Sequence, residues 1–117
     1  MKYTKDYFRK VIGYSRLILL PNNMAELYVN FIKNDTKIEK RKITFFNVNF
    51  VHYSNVDLDL IDNHNITEVI DCDLELFNMA KTDVHKFLKG KVSKDFYLLS
   101  FHSNIQLSIG FTDVDIK

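Results

Sequence analysis

Alternation of apolar and polar residues with a period of two is the feature that most constrains this chain. Ile105, Leu107, Ile109 and Phe111 hold one side of a strict alternation. Ile70, Cys72, Leu74 and Leu76 hold one side of another, with Asp71, Asp73 and Glu75 opposite. Successive side chains of a strand point to opposite faces, so each segment buries one face of a sheet and solvates the other. Leu27, Val29 and Phe31 repeat the pattern, with Tyr28 and Ile32 on the other side. The longest β-like run covers residues 38–53, where Phe46, Val48 and Phe50 point one way and Ile43, Phe45, Val51 and Tyr53 the other. Apolar groups on both faces predict a central strand, or a bulge where Phe45 and Phe46 adjoin. With short strands at 16–20 and 95–101, about six strands are expected.

The connections fix their sense. Pro21-Asn22-Asn23 and Asn34-Asp35-Thr36-Lys37 are turn sequences, and His102-Ser103-Asn104 joins the two closing strands. Parallel neighbours need crossovers of a dozen or more residues, so these short links predict antiparallel pairing. Val114 and Ile116 fall out of phase with Phe111, which predicts a bend near Thr112-Asp113. Two helices are expected. Thr4 caps one that carries Tyr7, Phe8, Val11 and Ile12 on a face and ends at Gly13; the other spans residues 82–89, capped by Thr82 and stopped by Gly90. A loop rich in Asp and Asn fills residues 54–65. The expected fold is a single α+β domain over residues 1–117, mainly an antiparallel sheet.

Composition excludes several classes. The 117 residues are 46% hydrophobic and 26% charged, an ordinary globular balance that disfavours disorder. Cys72 stands alone, so no disulfide scaffold can form within the chain. No signal core or membrane-length apolar run occurs, so a cytoplasmic location is expected.

Few residues point to catalysis. Asp57, Asp59 and Glu68 match the first, third and twelfth places of a calcium loop, but Ile61 and Asp62 occupy the fifth and sixth. The fifth place needs an oxygen ligand and the sixth a glycine, so no metal site is expected. His52, His64, His85 and His102 show no paired ligand spacing. Cys72 lies between two anionic residues, which oppose thiolate formation, and shares the core phase. With three glycines and no nucleophile or phosphate motif, the chain reads as non-enzymatic and without a cofactor.

Charge is unevenly distributed beneath a total of +1. Residues 1–42 carry +6, residues 54–83 carry −7, and residues 84–117 carry +2. The acidic block offers Asp57, Asp59, Asp62, Asp71, Asp73 and Glu75 as a face for a basic protein partner. Lys37, Lys40, Arg41 and Lys42 beside the aromatic strand form the alternative, a patch for nucleic acid or another ligand. The near-neutral total disfavours a nucleic-acid binder as a whole, and lysines at a strand entrance also guard sheet edges. Several short strands with edges to cover also allow a homodimer.

The strand I-T-F-F-N-V-N-F at 43–50, the acidic I-T-E-V-I-D-C-D-L-E-L at 66–76 and the closing hairpin from 96 to 116 carry a resemblance. Residues 27–117 resemble small bacterial immunity proteins of polymorphic-toxin systems, and related uncharacterised β-rich domains, in strand patterning. The resemblance implies a cytoplasmic binding protein that occludes a toxin's active site without a cofactor. Acidic surfaces suit toxins that are basic nucleases. It assigns no binding residue.

Overall fold

The computed structural model describes residues 5–34, 37–54, 56–57, 72–79, 95–103 and 105–117. Their elements are α1 (Lys5–Phe8), β1 (Val11–Leu20), β2 (Met24–Asn34), β3 (Lys37–Phe46), β4 (Phe50–Tyr53), β5 (Val56–Asp57), β6 (Asp73–Met79), β7 (Phe96–His102), β8 (Leu107–Phe111) and β9 (Asp113–Ile116). They form a four-stranded sheet 1, ordered β1-β2-β3-β9, and a five-stranded sheet 2, ordered β5-β4-β8-β7-β6. Every adjacent pair is antiparallel, as the short connections predict.

Among the described residues nine strands stand where six are expected: two long runs each break at one corner, and β5 pairs with β4 at the start of the segment expected as a loop. The 38–53 run divides into β3 and β4 around Asn47, Val48 and Asn49, and the closing run divides into β8 and β9 at Thr112. β3 pairs with β9 in sheet 1, while β4 pairs with β8 in sheet 2, so both runs leave one sheet for the other together. Strands that switch sheets through bends make such corners. The Thr112 amide donates to the Phe46 carbonyl at 3.1 Å, and the Asn49 amide to the Gly110 carbonyl at 3.0 Å. Asn47 takes the left-handed conformation (φ 52°) and its side-chain amide donates to Thr112 Oγ1 at 2.7 Å. The corner also turns Val48 into the core, whereas Phe46 and Phe50 stay half-buried. The break replaces the bulge expected at Phe45-Phe46.

The sheets face each other across one core. Leu27, Ile43 and Phe45 from sheet 1 join Leu99, Phe101, Leu107, Ile109 and Phe111 from sheet 2, all wholly buried. Edge-to-face ring pairs cross between them: Tyr14 with Phe101 at 5.2 Å, and Phe45 with Phe111 at 5.0 Å. As continuous runs, β1, β2, β3–β4, β8–β9, β7 and β6 follow one another around this core. The Cys72 amide, just before β6, donates to the Ile12 carbonyl of β1 at 2.9 Å and closes the circuit.

The amino-terminal helix is one turn, and the chain is extended from Val11 rather than from residue 16. Register shifts between Val11 and Gly13, and again between Tyr14 and Arg16, show why the spacing reads as helical. Each irregularity adds a residue, so Val11, Tyr14 and Leu17 all face inward at intervals of three. The helix expected at residues 82–89 lies outside the described residues. The Tyr14 hydroxyl is wholly buried in the core beside Ser103. The Ser103 hydroxyl donates to the Ile105 carbonyl at 2.7 Å and accepts from its amide at 3.1 Å. Burial pushes the Tyr14 phenol up to about 12, with Tyr53 and Cys72 acting in the same direction. Among the described residues, no helix is long and apolar enough to cross a membrane.

Candidate functional site

The outer face of sheet 2 brings together residues that the sequence keeps far apart. Strand alternation sends Leu99, Phe101, Leu107 and Ile109 to the core, so Leu98, Ser100, His102 and Ser108 lie on the opposite face of the sheet, where Leu98, Ser100 and Ser108 are also buried. Cross-strand register then builds rows. Phe77 pairs with Leu98, Leu98 with Gly110, and Gly110 with Phe50. In the next row Glu75 pairs with Ser100, Ser100 with Ser108, and Ser108 with His52. Asp73 pairs with His102 in the row beyond.

These rows line a groove of about 460 Å³, walled by Phe50, Phe77, Met79 and Leu98. His52, His102, Ser100, Ser108 and Gln106 supply its polar lining. The Ser100 and Ser108 hydroxyls, both buried, bond to each other at 3.0 Å. The Phe50 and His52 rings are nearly parallel, with centroids 6.0 Å apart. Phe77 is one of the two large apolar side chains exposed among the described residues, at 39%. An apolar surface with a few convergent polar groups is the usual form of a recognition site. Among the described residues no three His, Cys, Asp or Glu side chains converge as a metal site would require.

Of the six acidic residues, Asp57, Asp73 and Glu75 fall on strands of sheet 2. Asp73 and Glu75 are exposed on the outward side of β6, the side that carries Phe77. Glu75 Oε1 lies 3.0 Å from His102 Nε2, an ion pair whenever the imidazole is protonated. Asp57 occupies the register position opposite His52, at the other edge of the sheet. Asp59, Asp62 and Asp71 lie outside the described residues, as do Glu68, His64 and His85.

The pleat divides the basic segment. Lys37 and Lys40 are exposed, while Arg41 turns to the inward side of β3 that carries Ile43 and Phe45. Its guanidinium sits 4.3 Å over the Phe31 ring, donates to Glu39 at 2.9 Å and donates to the Tyr7 hydroxyl at 3.0 Å. The hydrogen bond from Arg41 holds the Glu39 carboxyl below the usual carboxylate range. Lys42 lies outward, 3.6 Å from Glu26. The four basic residues therefore share no one surface. Cys72 is half-buried against the core, its thiol 3.5 Å from the Ile12 carbonyl.

The groove walls are invisible to charge and motif reading. Phe77 continues the outward phase of Asp73 and Glu75, and that phase was the available sign of it. Phe50 and Leu98 resemble core residues in sequence, because sheet 2 carries apolar groups on both faces. Compared with protein-family models, curated proteins and solved structures, the chain matches none.

Proposed function

We propose that this chain is a non-catalytic protein-binding module, of the immunity type suggested by its strand patterning, that engages a basic partner through the outward face of β6. The supporting observation is the placement of exposed Asp73 and Glu75 on the same side of one strand as exposed Phe77. Carboxylates around an aromatic anchor reproduce the polar rim and apolar centre of protein interfaces. The carboxylates steer a basic partner and fix its register, while the aromatic ring supplies desolvated contact. Capping the active site of a basic nuclease needs no cofactor and no reacting group from this chain.

The test compares proteins captured from the source cell by the wild-type chain and by its Asp73→Lys/Glu75→Lys variant. Each captured partner is then purified and titrated against both. The reading expects a partner whose affinity falls at least about tenfold on charge reversal and weakens with added salt. Unchanged affinity for every partner recovered would overturn it.

A further inference from the structure

The groove beside Asp73 and Glu75 has a chemistry of its own that says what the partner must present. Its described lining includes four planar rings, Phe50, His52, Phe77 and His102, and no lysine or arginine. Carboxylates stand at its margin, since Glu75 and Asp73 pair in register with Ser100 and His102. The exposed Gln106 amide supplies a further acceptor along it, while the Ser100 and Ser108 hydroxyls are bonded to each other. Such a surface selects a cation that is planar, weakly hydrated and rich in donors. A guanidinium meets all three requirements, whereas an ammonium is compact and strongly hydrated.

Arg41 shows the same chemistry elsewhere in this chain. It lies on the Phe31 ring, pairs with Glu39 and donates to a hydroxyl, that of Tyr7. The groove offers an arginine from outside the first two of those partners, a ring in Phe77 or Phe50 and the exposed carboxylate of Glu75, which an arginine would share with His102. Resting on the reading of β6 as the binding face, we infer that the groove receives an arginine side chain of the partner protein, stacked on its aromatic wall and paired with Glu75.

Synthetic peptides test this with the intact chain, labelled with nitrogen-15 and followed by amide chemical shifts. The probes are acetyl-Gly-Arg-Leu-Arg-Gly-amide and its counterparts with lysine or citrulline in place of arginine. Citrulline keeps the planar shape and loses the charge; lysine keeps the charge and loses the plane. The arginine peptide is expected to shift the amides of Phe77, Leu98 and Ser100. It should bind about threefold or more tightly than the lysine peptide, the margin of a partly exposed cation–ring contact. The citrulline peptide should bind about tenfold more weakly than the arginine peptide, having no charge to meet Glu75.

Glu75→Gln and Phe77→Ser, each with a wild-type unfolding midpoint, should both remove the preference for arginine. Equal binding of arginine and lysine peptides, with shifts confined to Asp73 and Glu75, would overturn the arginine groove and leave the acidic face standing. The absence of any shift on β6 with either cationic peptide would overturn both.

Discussion

Gly110 gives the sharpest structural test of the corner that joins the two sheets. A Cβ built there would collide with the side-chain oxygen of Asn49 and lie 3.3 Å from Phe50 Cβ. Asn49 Oδ1 is itself buried without a hydrogen-bond partner among the described residues. In Gly110→Ala the Asn49 side chain must therefore move within packed surroundings, while the Asn49 amide remains bonded to the Gly110 carbonyl. Overpacking of this kind costs about 1–3 kcal/mol. The clash falls on the end of a short side chain and not on backbone, which places the cost toward the lower part of that span. Such a cost corresponds to a fall of roughly 3–6 °C in Tm per kcal/mol at this chain length.

The decisive comparison is a double-mutant cycle with Asn49→Ala, read by urea unfolding. Truncating Asn49 removes the oxygen that the new methyl would strike, so Gly110→Ala should become nearly neutral in that background. A coupling of about 1 kcal/mol or more is expected, well above the few tenths seen for independent sites. Equal costs in the two backgrounds, or no cost in either, would refute this packing of β4 against β8.

Other expectations follow from the same contacts. Tyr14→Phe removes a wholly buried hydroxyl and keeps the ring, so stability at neutral pH should change by no more than about 1 kcal/mol in chemical denaturation. The folded phenol stands at about 12 against an ordinary 10. Its contribution is therefore whole below pH 10 and lost as pH rises through 12, and Tyr14→Phe should flatten that alkaline decline. Arg41→Lys keeps the charge but loses the planar stack on Phe31 and the paired donors to Glu39, so the thermal midpoint should fall by several degrees at moderate salt. Glu39 titrates below the usual carboxylate range, so its contribution is present above that range and lost as the pH falls through the lowered value. Phe77→Ser should leave the unfolding free energy in urea within about 0.5 kcal/mol of wild type, because the ring is substantially exposed. The same change should weaken partner binding measured by calorimetry.

Much of the sheet was legible because strand alternation is a local property. The phase of Leu74, Asp73, Glu75 and Leu76 carries directly into β6; β8 keeps Leu107, Ile109 and Phe111 inward but is buried on both faces instead of solvated on one, and the dislocation near Thr112 is the passage from β8 to β9. Left-handed Asn22 and Asn23 (φ 65° and 56°) make the turn between β1 and β2, as their residue type suggests. β1 was legible only from residue 16 because its irregularities imitate helical spacing. A sequence window cannot distinguish an extra residue in a strand from a turn of helix when both repeat near three.

The site was legible in part, for a related reason. Asp73 and Glu75 declare themselves by charge and phase. The groove beside them depends on which face of β4, β7 and β8 meets the other sheet, and that is decided at the corner where Asn47 meets Thr112. Arg41 reads as one of four neighbouring cations, and only the pleat reveals that it turns away from Lys40 and Lys42.

The most direct test of the account is calorimetric titration of a purified basic partner against the wild-type chain and Asp73→Lys/Glu75→Lys, matched for unfolding midpoint, at low and moderate salt. The account predicts at least about a tenfold loss of affinity on charge reversal, together with a flatter salt dependence. Equal affinity and equal salt dependence for the two proteins would contradict it.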